Sequence, residues 1–190
     1  MTQRLILVRH SQSQPDPARP ASQWGLTEVG RQRCAGLADH LAAYAPARIF
    51  TSAEPKAAET GSLVAARLGL PHAVAAGLHE HLREHAGWLT DEMFQRTVAA
   101  LFERPTELVW GEETAAEAGD RFEAAVRGLL ARHPGETLAI ATHGTVMTLF
   151  IARHTGIAPI PFWRSLGMPA FAVLSLPDFG LLELVARVAD

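Results

Sequence analysis

Two rhythms of apolar and polar positions run along this chain. Leu5, Ile6, Leu7 and Val8 form an unbroken apolar run within residues 4–10. Such a run predicts a short strand buried on both faces. It stops abruptly at Arg9 and His10. Residues 11–25 carry Ser, Gln, Asp and three prolines and predict a loop. Leu26, Val29, Cys34, Leu37 and Leu41 then recur at helical spacing, with Thr27 placed to cap the helix start. Residues 47–52 predict a second strand ending in Thr51-Ser52. Residues 54–69 predict a helix with Pro55 in its first turn and Gly69 as its stop. A weak third strand falls at 72–78. Residues 90–104 and 113–133 are alanine-rich and helical in pattern. A further buried strand at 137–144 leads into a helix at 145–156. Residues 170–188 predict two strands around a Pro-Asp-Phe-Gly turn.

Strands alternating with helices predict an α/β protein with a mostly parallel sheet and an antiparallel edge at the C-terminal end. The 190 residues suit a single domain, residues 1–190, with no repeat or linker. The composition, 48% apolar and 19% charged, is that of an ordinary globular protein. A net charge of −3 gives no basic field to draw nucleic acid or an anionic membrane. The lone Cys34 excludes an internal disulfide framework and a Cys-based zinc knuckle. The apolar run 5–8 is too short for a signal peptide, and no stretch approaches a bilayer span. A soluble, cytoplasmic protein is the expectation.

In open α/β sheets, ligands gather beyond the C-terminal ends of the strands. Three of the strands end in polar residues: Arg9-His10, Thr51-Ser52 and Thr142-His143-Gly144. If they are neighbours, an arginine and two histidines meet at one mouth. A helix starting near Gly144 adds backbone N–H groups. That is an anion site containing an imidazole. Arg9 can clamp a phosphate. His10 can attack phosphorus as a neutral imidazole, and a second histidine can stabilise the oxygens. A carboxylic acid must then protonate the leaving oxygen.

The segments "LVRHSQS", "LTEVGRQR", "IFTSAEPKAAETG" and "LAIATHGTVM" occur in this order and resemble the histidine phosphatase superfamily, the phosphoglycerate mutase-like fold, in its short branch 1 form. The resemblance covers nearly the whole chain. It implies a three-layer αβα sandwich and a phosphomonoester hydrolase working through a phosphohistidine on a small phosphorylated substrate. No cofactor or metal is implied, and the partner is a small-molecule phosphomonoester. The oligomeric state stays open, a homodimer among the options. Residue by residue, His10 matches the nucleophile and Arg9 the first phosphate arginine. Ser11 stands where glycine is commonest, and Ser13 at a Thr/Ser position that orients the loop. Asp16 falls where many members have an asparagine that donates to phosphate, which a carboxylate cannot do. Lys56 replaces a second phosphate arginine, keeping the charge and losing the fork. His143 and Gly144 match the second pocket histidine and the amide beside it. The general acid is expected in a Leu-x-Glu context after the third strand. Glu80 and Glu84 both fit, Glu80 being nearer the strand. Arg83 is a candidate substrate contact.

Taken alone, Lys56 is an ordinary exposed helix residue and Asp16 a turn residue. The tryptophans are more often core or rim, but Trp24 and Trp88 lie in loops expected to border the mouth. Residues 86–94 suggest an apolar wall there, suited to a leaving group with hydrophobic surface. Three rival functions remain. A mutase would use the same phosphoenzyme and return phosphate to a bound product. Lys56 and Asp16 could mark a degenerate phosphate-binding module. His81-x-x-Glu84-His85 has the spacing of inverted zinc peptidases, which requires a helix carrying both histidines on one face.

Overall fold

A computed structural model describes residues 3–188. Its centre is a six-stranded sheet in the order β3-β2-β4-β1-β5-β6. The strands are β1 (Arg4–Arg9), β2 (Arg48–Thr51), β3 (His72–Val74), β4 (Leu138–Thr142), β5 (Ala170–Ser175) and β6 (Leu181–Val185). The first four run parallel, β5 runs antiparallel to β1, and β6 pairs antiparallel with β5. This is the expected mostly parallel sheet with antiparallel pairing at one edge.

Side chains alternate across β1, as a strand's period of two requires. Leu5 and Leu7 point into a core with Phe122, Val126, Val146 and Phe150. Those residues come from α4 (Ala115–Arg132) and α5 (Gly144–Thr155). Ile6 and Val8 point the other way, into a core with Leu37, Leu41 and Val64. That face is covered by α1 (Glu28–Ala42) and α2 (Pro55–Leu68). Helices thus cover both faces, and the sandwich has three layers. A satellite cluster of Val98, Phe102 and Trp163 joins α3 (Asp91–Glu103) to α6 (Pro159–Ser165).

The helix signals read from sequence are physically in place. The Thr27 hydroxyl accepts from Gly30 N–H, and Gly69 closes α2 in the left-handed region at φ 66°. Thr114 and Glu117 form a reciprocal capping box on α4. Three expectations needed correction. The weak third strand shortens to His72–Val74, fully exposed at the sheet edge. Residues 159–165 form a helix that the pattern did not predict. Val29, placed on the apolar face of α1, is 43% exposed. No helix among the described residues is long and apolar enough to cross a membrane.

Candidate active site

Because β1 lies between β4 and β5, and β4 beside β2, the three polar strand ends do come together. His10 N–H donates to the Thr142 carbonyl at 2.9 Å and Ser52 N–H to the Ala141 carbonyl at 3.0 Å. The rings of His10 and His143 meet edge-on, with centroids 5.3 Å apart.

His10 Nδ1 lies 2.7 Å from the Ser11 carbonyl oxygen. A carbonyl only accepts, so Nδ1 carries the proton and Nε2 keeps its lone pair. Burial, then neighbouring His143 and the cations Lys56 and Arg9, push His10 well below the ordinary imidazole value, against the pull of the Ser11 bond. The ring is therefore neutral across the physiological range. Ser11 does structural work where glycine would be expected. Its hydroxyl donates to the Gly30 carbonyl at 2.7 Å, and its N–H donates to Thr60 Oγ1 at 3.0 Å. Gly30 is needed on the facing helix, since a Cβ there would overlap the Gln12 carbonyl.

Arg9 is half-buried and lines the cavity together with His10. One Nη donates to the Leu166 carbonyl, while Nε has no protein partner. Burial lowers its pKa to about 10, with Glu80 opposing that shift. Arg9 stays charged at neutral pH. Gly144 packs so closely that a Cβ would come 3.2 Å from Arg9 Nε.

Glu80 and Glu84 both line the cavity, Glu80 buried and Glu84 exposed. Glu80 Oε1 accepts from His81 N–H at 2.9 Å and Val146 N–H at 3.2 Å, and its Oε2 from Thr145 N–H at 3.1 Å. The start of α5 was expected to offer its amides to phosphate. Two of them are instead taken by this carboxylate. Arg83 Nη2 lies 3.8 Å from Glu80 Oε2. Burial pushes Glu80 up, but Arg83, His143 and the N–H bonds outweigh it, and its pKa falls well below the ordinary carboxylate range. His143 is itself held neutral, so Arg83 and the amides carry that effect. Glu84 is exposed and accepts from Ser22 Oγ at 2.8 Å on the rim.

Lys56 is buried and lines the cavity. Its Nζ donates to the Ala21 carbonyl and to Glu54 Oε2, each at 2.5 Å. Burial lowers its pKa and Glu54 opposes the fall. Ser13 lines the cavity, and its backbone bridges to Leu26, closing the 11–25 loop on itself. Asp16 is not brought to the mouth. Its Oδ1 accepts from Ala18 N–H at 2.9 Å and its Oδ2 pairs with Arg19, so it is a turn residue. His143 stands beside His10 but is fully buried and does not line the cavity. Burial, then Lys56, lowers its pKa well below the ordinary value.

Two elements of the site had no sequence signal. Glu54 stands at the start of the helix predicted over 54–69, directly before α2. Its Oε1 accepts from Glu80 N–H at 2.7 Å and lies 3.3 Å from His143 Nε2. It thus ties Lys56, His143 and the Glu80 loop together. Arg121, on α4, donates to the carbonyls of Gly77, His79 and Glu80 at 2.8, 3.0 and 3.2 Å. Paired with Glu113, it holds the loop that presents Glu80.

Glu54 places a carboxylate on Lys56 and beside His143, so its charge competes with any anion that enters the cavity. Glu54→Gln keeps an acceptor for Glu80 N–H and removes the charge. Competitive inhibition by inorganic phosphate is expected to tighten on the order of tenfold. An unchanged inhibition constant would show that Glu54 does not screen Lys56 and His143.

The zinc-peptidase spacing fails on geometry. Residues 81–85 are not helical. His81 is buried with Nε2 at 2.6 Å from the Glu113 carbonyl, while His85 is exposed against Glu112. Among the described residues no group of three or more His, Cys, Asp or Glu is placed to hold a metal.

Arg9, His10, Lys56 and Glu80 line a cavity of about 560 Å³. A neutral nucleophilic imidazole, two cations and a carboxylate surround it. The model of the histidine phosphatase superfamily (branch 1) matches residues 5–177. The fold is similar to that of a mycobacterial glucosyl-3-phosphoglycerate phosphatase, with a TM-score of 0.75, 21% identity and 99% of each chain covered. It is similar to Bacillus stearothermophilus YhfR, with a TM-score of 0.75, 22% identity, and 100% of this chain and 98% of that one covered. It is also similar to Entamoeba histolytica phosphoserine phosphatase in complex with 3-phosphoglyceric acid, with a TM-score of 0.79, 15% identity and 98% of each chain covered. No curated protein matches the chain.

Proposed function

The chain belongs to the histidine phosphatase superfamily, branch 1, and from that premise we propose that it hydrolyses phosphomonoesters through a phosphohistidine at His10, without a metal. The observation that carries this reading is the Nδ1–H bond to the Ser11 carbonyl, which leaves Nε2 as a bare nucleophile at the cavity floor. Arg9 and Lys56 hold the phosphoryl oxygens, with Ser13 and the Gly144 amide bordering them. His143 supports the transferring group from beside His10, and Glu54 positions it.

Glu80 is the proton carrier, and its low pKa dictates where the proton originates. An anionic Glu80 cannot act as an acid by itself. A phosphomonoester monoanion brings one proton into the site and passes it to Glu80. His10 Nε2 then attacks phosphorus as the P–O bond breaks, and Glu80 returns the proton to the departing alkoxide. Glu80 is now a carboxylate again. It takes a proton from water as the oxygen attacks phospho-His10. Glu80 passes that proton to the phosphate, which leaves as the monoanion, and the carboxylate and the neutral imidazole are both restored.

The sign of the pH dependence follows. His10 is depressed, so it stays nucleophilic on the acid side of its ordinary range. Glu80 is depressed, so only the monoanionic substrate supplies the proton. For an alkyl phosphate, kcat/KM is expected to fall about tenfold per pH unit above about pH 6, where the second phosphate ionisation lies. Steady-state rates from pH 4.5 to 8, in excess chelator, test this. Chelator-resistant turnover with one phosphate released per ester consumed supports hydrolysis. Turnover abolished by chelator, or a profile rising from pH 6 to 8, would sink the mechanism. Ester consumed without free phosphate would indicate return transfer, the mutase outcome.

A further inference from the structure

The reaction places phosphorus against His10 and the leaving oxygen towards Glu80, so the rest of the substrate must occupy what remains of the cavity. A volume of about 560 Å³ is in the range of sites that enclose drug-sized ligands, about 300–1,000 Å³. Arg9, His10 and Lys56 account only for the floor. Five aromatic residues, Trp24, Trp88, Phe94, Trp110 and Trp163, share the remaining lining with loop prolines and with charged side chains, Arg83 among them.

These rings form two groups. Trp24 and Trp88 lie 6.0 Å apart, tilted by 49°. Trp24 is fixed, because its indole N–H is shared by the carbonyls of Asp16 and Arg19, both at 3.2 Å. Trp88 is 53% exposed and has Trp24 as its ring neighbour. The second group is packed. Phe94 meets Trp110 at 5.7 Å and Trp163 at 5.8 Å. The Arg83 guanidinium lies over Trp110 at 4.9 Å and over Phe94 at 5.6 Å, beside Glu80. Aromatic surface held by packing and hydrogen bonds at a cavity wall is preorganised to cover a flat apolar body at little cost in ordering.

We propose that this part of the cavity is a leaving-group subsite for an aromatic ring, so that the preferred substrates are phosphomonoesters of alcohols carrying one. The proposal rests on the hydrolase reading above for its orientation. It differs from that reading in what it requires of binding.

Non-hydrolysable phosphonates separate the two. The affinities of ethylphosphonate and 3-phenylpropylphosphonate for the wild-type protein are compared by calorimetry, together with tryptophan emission. The aryl phosphonate is expected to bind at least about 20-fold more tightly and to shift the emission. Trp88→Ala, a change at a half-exposed loop residue, is expected to reduce that advantage to within about threefold. Equal affinities in the wild type, or an advantage that Trp88→Ala leaves intact, would overturn the subsite. An aryl advantage in a protein that hydrolyses no phosphomonoester would leave the subsite standing and remove the hydrolase reading. Hydrolysis without an aryl advantage would do the reverse.

Discussion

His10→Ala is expected to lose phosphomonoester hydrolysis by about a thousandfold or more in kcat. The loss is large because nothing near replaces the imidazole. His143 is the other imidazole within reach, and it is fully buried with Nε2 turned towards Glu54. Affinity for inorganic phosphate should persist in the variant, since Arg9 and Lys56 remain. Stability should change little, because the side chain's hydrogen bond is made to the carbonyl of the next residue. Initial rates with p-nitrophenyl phosphate, beside a phosphate titration, check both halves. A variant that keeps more than a few per cent of its activity would exclude His10 as the nucleophile.

Glu80→Gln is expected to have the second largest effect, and its size should depend on the leaving group. An alkoxide needs the proton that Glu80 carries, so alkyl esters should slow by about 10²–10⁴-fold. p-Nitrophenolate leaves without that proton. With this ester the first step survives, while the water step loses its base. The phosphoenzyme then accumulates, and a burst of nitrophenolate equal to the enzyme concentration should precede slow turnover. Equal slowing of both esters with no burst would show that Glu80 only supports the site. The substitution also has a structural cost. The N–H groups of His81, Thr145 and Val146 all point at the carboxylate oxygens, and a glutamine would turn an NH₂ towards one of them. A lower melting temperature is expected along with the kinetic change.

How much of this was legible in the sequence depended on whether the signal was local. The run from Leu5 to Val8 ending in Arg9-His10 announced both a buried strand and a residue pair that burial alone would not favour. Thr27, Pro55 and Gly69 marked helix ends because capping involves only a few consecutive residues. Glu80 was favoured over Glu84 by its distance from the strand end, and the structure buries Glu80 and exposes Glu84. The helix at 159–165 has little helical signal because two of its seven residues are prolines, Pro159 and Pro161, although a proline is tolerated in a first turn. Glu54 and Arg121 could not have been found. Each is an ordinary charged residue on a helix or at its start. Their roles exist only because distant segments bring His143 and the 77–80 carbonyls against them. The His81–His85 spacing holds no zinc site for the same reason in reverse. Spacing implies a shared face only on a helix, and Gly77 and Gly87, both at positive φ, bracket a loop instead.

The central claim is that a phosphoryl group passes through His10. Rapid acid or alkali quenching of wild-type enzyme during turnover of an isotopically labelled phosphomonoester tests it most directly, with the label mapped by peptide mass. The account requires an alkali-stable, acid-labile adduct on the peptide containing His10, formed and lost at rates that match turnover and absent from His10→Ala. Turnover without any protein-bound phosphoryl group, or an adduct on another residue, would contradict it.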